Sequence, residues 1–321
     1  MNKINILILS AGRRVELVNC FKSAKKELGI DGKIIACDIT TTAPAIYFAD
    51  EYRLVPRINA TGFIDAIIEI CNQDNIALIV PTIDTELVIL AENKQLIESK
   101  TNAKVLISSL NVVKTCDNKK LTAKFFKENG FGVPDTLSNA DLDSHNYSFP
   151  LFIKPLDGSS SINAFKVNND KELAFFRDYI SNPIIQECVS GIEYTIDCFL
   201  DFDSNIISVV PRKRLATRSG EILKGEIDLN PKIIDDVTRL LKVLKPIGHI
   251  TVQGFYGEDE IFRYIEINPR FGGGAPMSIK AGANSPKWLY QLLLGNNIDT
   301  NIDIKECLFS RFDDSIMIEN D

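Results

Sequence analysis

A change of rhythm near residue 110 restricts the fold of this chain more than any other feature of its sequence. Before it, apolar runs at 3–9, 33–37, 76–80 and 104–107 alternate with stretches of helical apolar spacing at 15–28, 63–70 and 85–97. Apolar strands separated by helices of this length imply βαβ units around a buried parallel sheet. After it, a predicted helix at 119–129 ends in Gly130 and Gly132-Val133-Pro134, a stop signal. Strands are then predicted at 151–154, 184–187, 194–200, 206–211, 250–256 and 261–267, the later ones close enough to pair as hairpins, with helices at 170–180 and 231–244. The fold class is therefore α/β: a doubly wound N-terminal domain at 1–112, two α+β lobes at 113–183 and 184–300, and a tail at 301–321.

Composition removes several classes of function. No apolar stretch reaches the roughly 18 residues of a membrane span. The opening MNKINILILSAGRR meets Arg13 and Arg14 with no small-residue cleavage site between, so it reads as a first buried strand and not a signal peptide. Seven cysteines, odd in number and never spaced C-x-x-C, point to small core residues in a reducing, cytoplasmic setting. With only His145 and His249 available, a histidine-based zinc site is disfavoured. A net charge of −7 argues against a nucleic-acid partner.

Four segments carry candidate chemistry. In Tyr264-Ile265-Glu266-Ile267-Asn268-Pro269-Arg270, strand alternation places Tyr264, Glu266 and Asn268 on one face and the two isoleucines on the other. A two-residue turn at Glu258-Asp259 would pair Gln253 with Tyr264 and bring Gln253 diagonal to Glu266. Gln253, Glu266 and Asn268 then form an all-oxygen set suited to a hard cation such as Mg²⁺. Taken alone, the triplet also fits a half-exposed strand with solvated polar residues. In the second segment, Lys154 precedes a Gly/Ser turn at Gly158-Ser159-Ser160-Ser161, which can form an anion nest or a plain solvated hairpin. Third, Glu187-Cys188-Val189-Ser190-Gly191-Ile192-Glu193 forms a hinge whose backbone could read an adenine edge, or simply an interlobe connection. Fourth, residues 212–224 hold five cations and one anion, either a solvated face or a set of arginines placed to grip carboxylate or phosphoryl oxygens.

In this order and spacing the four segments resemble the ATP-grasp superfamily, and within it the single-module relatives of the carbamoyl-phosphate synthase large subunit. LSAGRRVELV, CDITTTAPAIYFADEYRLVP and VPTIDTELVILAEN resemble that subgroup's pre-ATP-grasp domain, and Asp117-Asn118-Lys119 its usual Asn-Asp-Lys. The resemblance implies a pre-ATP-grasp domain followed by a two-lobed ATP-grasp domain. It implies ATP phosphate contacts from Lys119 and Lys154, and a mobile loop containing Ser159, Ser160 and Ser161. Adenine contacts would come from Glu187 and Val189, and a ribose contact from Glu193. Two Mg²⁺ ions, with Mn²⁺ as an alternative, would sit on Gln253, Glu266 and Asn268. Arg270, Arg212, Arg214 and Arg218 would face the γ-phosphate and the acyl substrate. Ala216 stands where relatives often carry an acid, and there is one module where carbamoyl-phosphate synthase has two.

The implied activity is an ADP-forming ligase that joins a small carboxylate to an amine or ammonia through an acyl phosphate. Its partners would be those small molecules, with no nucleic acid or membrane and with a homodimer left open. Three alternatives stand beside it: carbamoyl-phosphate-synthase-like phosphoryl transfer to a carboxylate or carbamate, a nucleotide-binding protein without turnover, and an NAD-dependent enzyme using Asp38. The last is disfavoured because Ser10-Ala11-Gly12-Arg13-Arg14 lacks G-x-G-x-x-G.

Overall fold

The computed structural model of the chain describes residues 3–156, 163–299 and 301–318. Among them the strands form three sheets. The first is fully parallel and contains β1 (Asn5–Ile8), β2 (Ile34–Asp38), β3 (Glu51–Leu54), β4 (Ile76–Val80) and β5 (Lys104–Val105) in the order β3-β2-β1-β4-β5. The strand order reverses between β1 and β4, the place where open α/β sheets form a crevice at their carboxyl ends. Asp38 closes the turn after β1: its two oxygens accept from the backbone N–H groups of Gly12 (2.8 Å) and Ile39 (2.8 Å). That commitment counts further against a role as a ribose ligand for NAD.

The second sheet is small and antiparallel, with β6 (Leu151–Pro155), β7 (Phe165–Val167) and β8 (Pro183–Glu187) in the order β7-β6-β8. The third is antiparallel, with β9 (Ile192–Leu200), β10 (Ile206–Arg218), β11 (Glu221–Ile227), β12 (Gly248–Tyr256), β13 (Phe262–Asn268) and β14 (Leu308–Ser310) in the order β13-β12-β9-β10-β11-β14. Helix Pro231–Leu244 covers its core face with Ile233, Val237, Leu240 and Leu241, packed on Ile196, Cys198, Ile250 and Val252. The α/β class with a parallel N-terminal sheet and antiparallel lobes is thus the observed one. Two placements differ from the sequence reading. β8 belongs to the small sheet, so the interlobe link falls at 188–191, just past the expected break at 184. The segment set aside as a tail supplies β14, which pairs with β11.

Helix Lys119–Glu128 also packs on the large sheet. Phe126 stacks on Tyr264 with centroids 4.9 Å apart, and Phe131 meets the same ring edge-on at 5.6 Å. Asn118 caps this helix by accepting from the N–H groups of Lys120 and Leu121, which places Lys119 in its first turn. Among the described residues no helix is long and apolar enough to cross a membrane.

Candidate active site

The β12–β13 ribbon reaches the expected pairing by a route the alternation rule does not give. Gly257 N–H donates to the Ile261 carbonyl, so the turn holds three residues, Glu258 to Glu260, and Glu260 adopts φ +60°. This odd loop would by itself turn Gln253 away from Glu266. A bulge at Ile265 restores the parity: Gly254 pairs with Tyr264, but Gln253 pairs directly with Glu266 and Thr251 with Asn268. The same bulge corrects the expected face of Tyr264. It lies in the core, 1% exposed, with its hydroxyl donating to Asp236 at 2.7 Å. Gly254 makes the bulge sterically feasible, because a Cβ there would collide with the Arg263 carbonyl and the Phe262 ring. Gly254→Ala is expected to cost about 1–3 kcal/mol as an overpacked site, read as a lower thermal midpoint.

Glu266 is exposed and accepts from the Asn268 amide at 3.1 Å. It lies where two cavities meet, since both are lined by Arg14, Asp84, Glu266, Asn268 and Arg270. The larger, about 730 Å³, opens toward Lys119 and Leu156; the smaller, about 220 Å³, runs toward Arg212, Arg214 and Gly272-Gly273-Gly274. Lys119 Nζ donates to the Pro155 carbonyl at 3.3 Å. Burial lowers the Lys154 pKa and the charge of Lys119 lowers it further, against a smaller opposing effect of Glu266. If the ammonium binds phosphate, nucleotide affinity should be full below this depressed pKa and fall as the pH rises through it. In a pH series of nucleotide titrations, the alkaline loss should therefore begin below the ordinary lysine range, and earlier still in Glu266→Gln.

The arginines divide by strand face. Arg212 and Arg214 share the cavity face of the sheet, whereas Lys213 points the other way to Glu226 (3.3 Å) and Asp228 (3.0 Å). Arg212 is 1% exposed and paired with Asp197 at 3.1 Å. Arg214 Nε lies 2.9 Å from Glu193. Arg270 grips Asp84 through two nitrogens, tying the N-terminal domain to β13. Arg218 is apart from this group: it sits at the exposed end of β10, paired with Asp313 at 2.7 Å, outside both cavity linings.

Of the hinge residues, Glu187 donates its backbone N–H to Asp135 (2.9 Å) and lies 3.7 Å from Arg263, while Val189 follows in the link between sheets. Ser159, Ser160 and Ser161 fall outside the described residues.

Residues 6–106 match a family model described as the PylC-like N-terminal domain, and residues 180–308 match one described as ATP-grasp in the biosynthetic pathway with Ter operon. The chain is an ATP-grasp superfamily protein with a PylC-like N-terminal domain. It is 31% identical over 211 residues to formate-dependent phosphoribosylglycinamide formyltransferase of Prochlorococcus marinus (strain NATL1A), covering 65% of this chain and 51% of that protein. It thus spans about half the length of the curated relative it matches. It is 22% identical over 224 residues to the carbamoyl phosphate synthase large chain of Thermoanaerobacter sp. (strain X514), 62% of this chain and 21% of that protein. Among solved structures, the ADP complex of N5-carboxyaminoimidazole synthetase from Staphylococcus aureus superposes with a TM-score of 0.75 at 16% identity, over 97% of this chain and 83% of that one. The biotin carboxylase domain of Hydrogenobacter thermophilus 2-oxoglutarate carboxylase, crystallised with MgADP and bicarbonate, gives 0.73 at 16% identity, over 93% and 72%. These structural likenesses bear on the fold.

The donor set of this ATP-grasp chain fits a magnesium ion held jointly with phosphate. One carboxylate and two amides on facing strands are too few for an all-protein cage, but suffice for an ion that keeps waters and takes substrate oxygens. Among the described residues no cluster of three or more His, Cys, Asp or Glu offers a competing site. Cys116, which lines the larger cavity, is no nucleophile at neutral pH, because burial pushes its thiol up to about 12.

Sequence reasoning missed Arg14, Asp84 and Asp197. Asp197 was the most findable, an acid set between Ile196 and Cys198 in the buried part of strand Ile192–Leu200. Arg14 and Asp84 follow β1 and β4, and those two loops are tied together. Glu86, fully buried, accepts from Ser10 Oγ (2.6 Å) and the Thr82 N–H (2.7 Å), and Thr82 Oγ1 donates back to the Leu9 and Ser10 carbonyls.

Proposed function

We propose that the chain is an ATP- and Mg²⁺-dependent ligase that joins a small carboxylate to an amine or ammonia, releasing ADP and phosphate. The observation that carries this reading is the meeting of both cavities at Glu266, with Gln253 opposite, Asn268 beside it, and cations along both walls. Lys119 and Lys154 would hold phosphate oxygens as point charges. The Glu187 N–H is already committed, so an adenine contact there falls to its carbonyl, with the Val189 N–H as donor and Glu193 beside the ribose. Gln253, Glu266 and Asn268 would hold the magnesium, which when bound neutralises charge on the transferring phosphoryl group.

A substrate carboxylate placed at the junction attacks the γ-phosphorus, the bond to the β,γ-bridging oxygen breaks, and ADP departs. The amine nitrogen then attacks the acyl carbon, phosphate leaves, and the nitrogen loses its proton. Arg270, oriented by Asp84, and Arg214, oriented by Glu193, would stabilise the transferring and departing oxygens. Catalysis here is mainly positioning. Phosphoryl transfer to a carboxylate or carbamate, without an amine, is a second reading favoured by the match to the carbamoyl phosphate synthase large chain. Screening ADP release against panels of amino acids and sugar acids, with hydroxylamine as the trap, tests the proposal. An acid-dependent hydroxamate is expected. ADP release with a turned-over acid and no hydroxamate would rule out the acyl-phosphate route.

A further inference from the structure

Four guanidiniums, those of Arg14, Arg212, Arg214 and Arg270, line the smaller cavity. Arg270, Arg214 and Arg212 are each paired with a carboxylate, but Arg212 keeps one nitrogen unused and Arg14 shares its nearest carboxylate with two other arginines. Arg212 is buried to 1% exposure, and its Nη1 has no hydrogen-bond partner among the described residues. Leaving such a donor unpaired is costly, so its retention points to a ligand. Among the described residues the carboxylate within 4 Å of Arg14 is Glu221, at 3.8 Å, with Asp84 acting from farther away, and Glu221 also serves Arg13 (3.5 Å) and Arg311 (3.3 Å). Burial and the neighbouring charge of Arg270 both push the Arg14 pKa down, as expected of a cation short of counter-charge.

The two guanidiniums flank one stretch of backbone. A Cβ on Gly273 would lie 2.6 Å from Arg14 Nη1, and one on Gly274 would lie 2.6 Å from Arg212 Nη2 and 2.9 Å from Nη1. Glycine at both positions thus lets the two side chains stand in the wall. Arg14 is delivered by the loop after β1, at the strand-order reversal where open sheets receive ligands. Lys119 and Leu156 line only the larger cavity, whereas Arg212 and the glycine run line only the smaller. An acid whose reacting carboxylate lies at Glu266 and Arg270 would therefore point its far end toward Arg14 and Arg212.

We propose that the acid taken by this site carries a second carboxylate, held between Arg14 and Arg212 Nη1 beside Gly273 and Gly274, so that the substrate class is a small dicarboxylate. This rests on the carboxylate-activating reading for the first carboxylate; the second follows from the unpartnered Arg212 Nη1 and the shared counter-charge of Arg14. Planar guanidiniums match a carboxylate edge, and the cavity of about 220 Å³ suits a short-chain acid.

Calorimetric titration of the full chain, with Mg²⁺ and AMP-PNP present, tests it using glutarate, butyrate and 4-phosphonobutyrate. Glutarate should bind roughly 10- to 100-fold more tightly than butyrate, the worth of one charge-assisted contact. Arg14→Gln should remove that advantage, and Arg14→Lys should restore part of it. Equal binding of glutarate and butyrate, tighter binding of 4-phosphonobutyrate than of glutarate, no saturation by glutarate, or an unchanged glutarate affinity in Arg14→Gln would each overturn the inference. The wild-type comparison needs no variant to fold. Loss of AMP-PNP binding itself would defeat the nucleotide-dependent reading and the inference with it, whereas AMP-PNP binding without acid discrimination defeats the inference alone.

Discussion

Glu266→Gln is expected to lower turnover by about 10²–10³-fold, the range for removing one preorganised electrostatic group from a site, while leaving the thermal midpoint near that of the wild type. The substitution keeps the size of the side chain and removes its charge. Glu266 is exposed and, among the described residues, its hydrogen bond is from Asn268, so an amide costs the fold little. The site, in contrast, loses its only carboxylate among Gln253, Glu266 and Asn268, and hard cations need such an oxygen. Lys154 also loses the negative charge that partly offsets its burial and its repulsion from Lys119. Raising the Mg²⁺ concentration should recover part of the rate. Wild-type rates at ordinary Mg²⁺ would show that this carboxylate holds no metal.

The second large effect is on stability. Asp197 and Arg212 are 2% and 1% exposed, and Ser278 Oγ also donates to Asp197. Burial alone would raise the Asp197 pKa. The charge of Arg212, with help from His249 and Ser278, outweighs it and holds the carboxyl well below the usual carboxylate range. A depressed folded pKa means that its contribution is present above the unfolded value of about 4 and lost as the pH falls below that. Asp197→Ala leaves a guanidinium buried without counter-charge, a change that costs about 3–5 kcal/mol. At roughly 2–4 °C per kcal/mol for a unit of this size, calorimetry should show the midpoint falling by about 10 °C. The double variant Asp197→Leu, Arg212→Met should recover much of that loss, because apolar groups of similar volume replace the pair. A single variant as stable as the wild type would mean that Asp197 is not the counter-ion that keeps Arg212 in the wall.

The parallel domain was legible because its strands are apolar on both faces and its helices carry a separate period. β3, reading Glu-Tyr-Arg-Leu on the sheet edge, has no such signal and was missed. The basic run at 212–224 proved to be most of a hairpin: alternation sends Arg212 and Arg214 into the cavity and Lys213 to the other face, while Arg218 lies beyond two register shifts at the exposed end.

The ribbon is the more instructive case. Gln253 does face Glu266, but through a three-residue turn and a bulge whose effects on parity cancel. Period-two reasoning could foresee neither, although Gly254 inside a strand is a signal for a bulge. Arg14 was hidden for another reason. An arginine at the start of a helix reads as solvated until the folded chain brings Gly273 and Arg270 against it.

In the proposed function a bulged ribbon presents Glu266, Gln253 and Asn268 to a magnesium ion shared with the nucleotide's phosphates. Calorimetric titration of AMP-PNP into the wild-type chain, once with Mg²⁺ and once with EDTA, tests it without knowledge of the acid. The account predicts binding roughly tenfold or more tighter with Mg²⁺, a charge-assisted gain of at least 1.4 kcal/mol, and a loss of that difference in Glu266→Gln. Equal affinity under the two conditions, or a magnesium effect undiminished in Glu266→Gln, would contradict it.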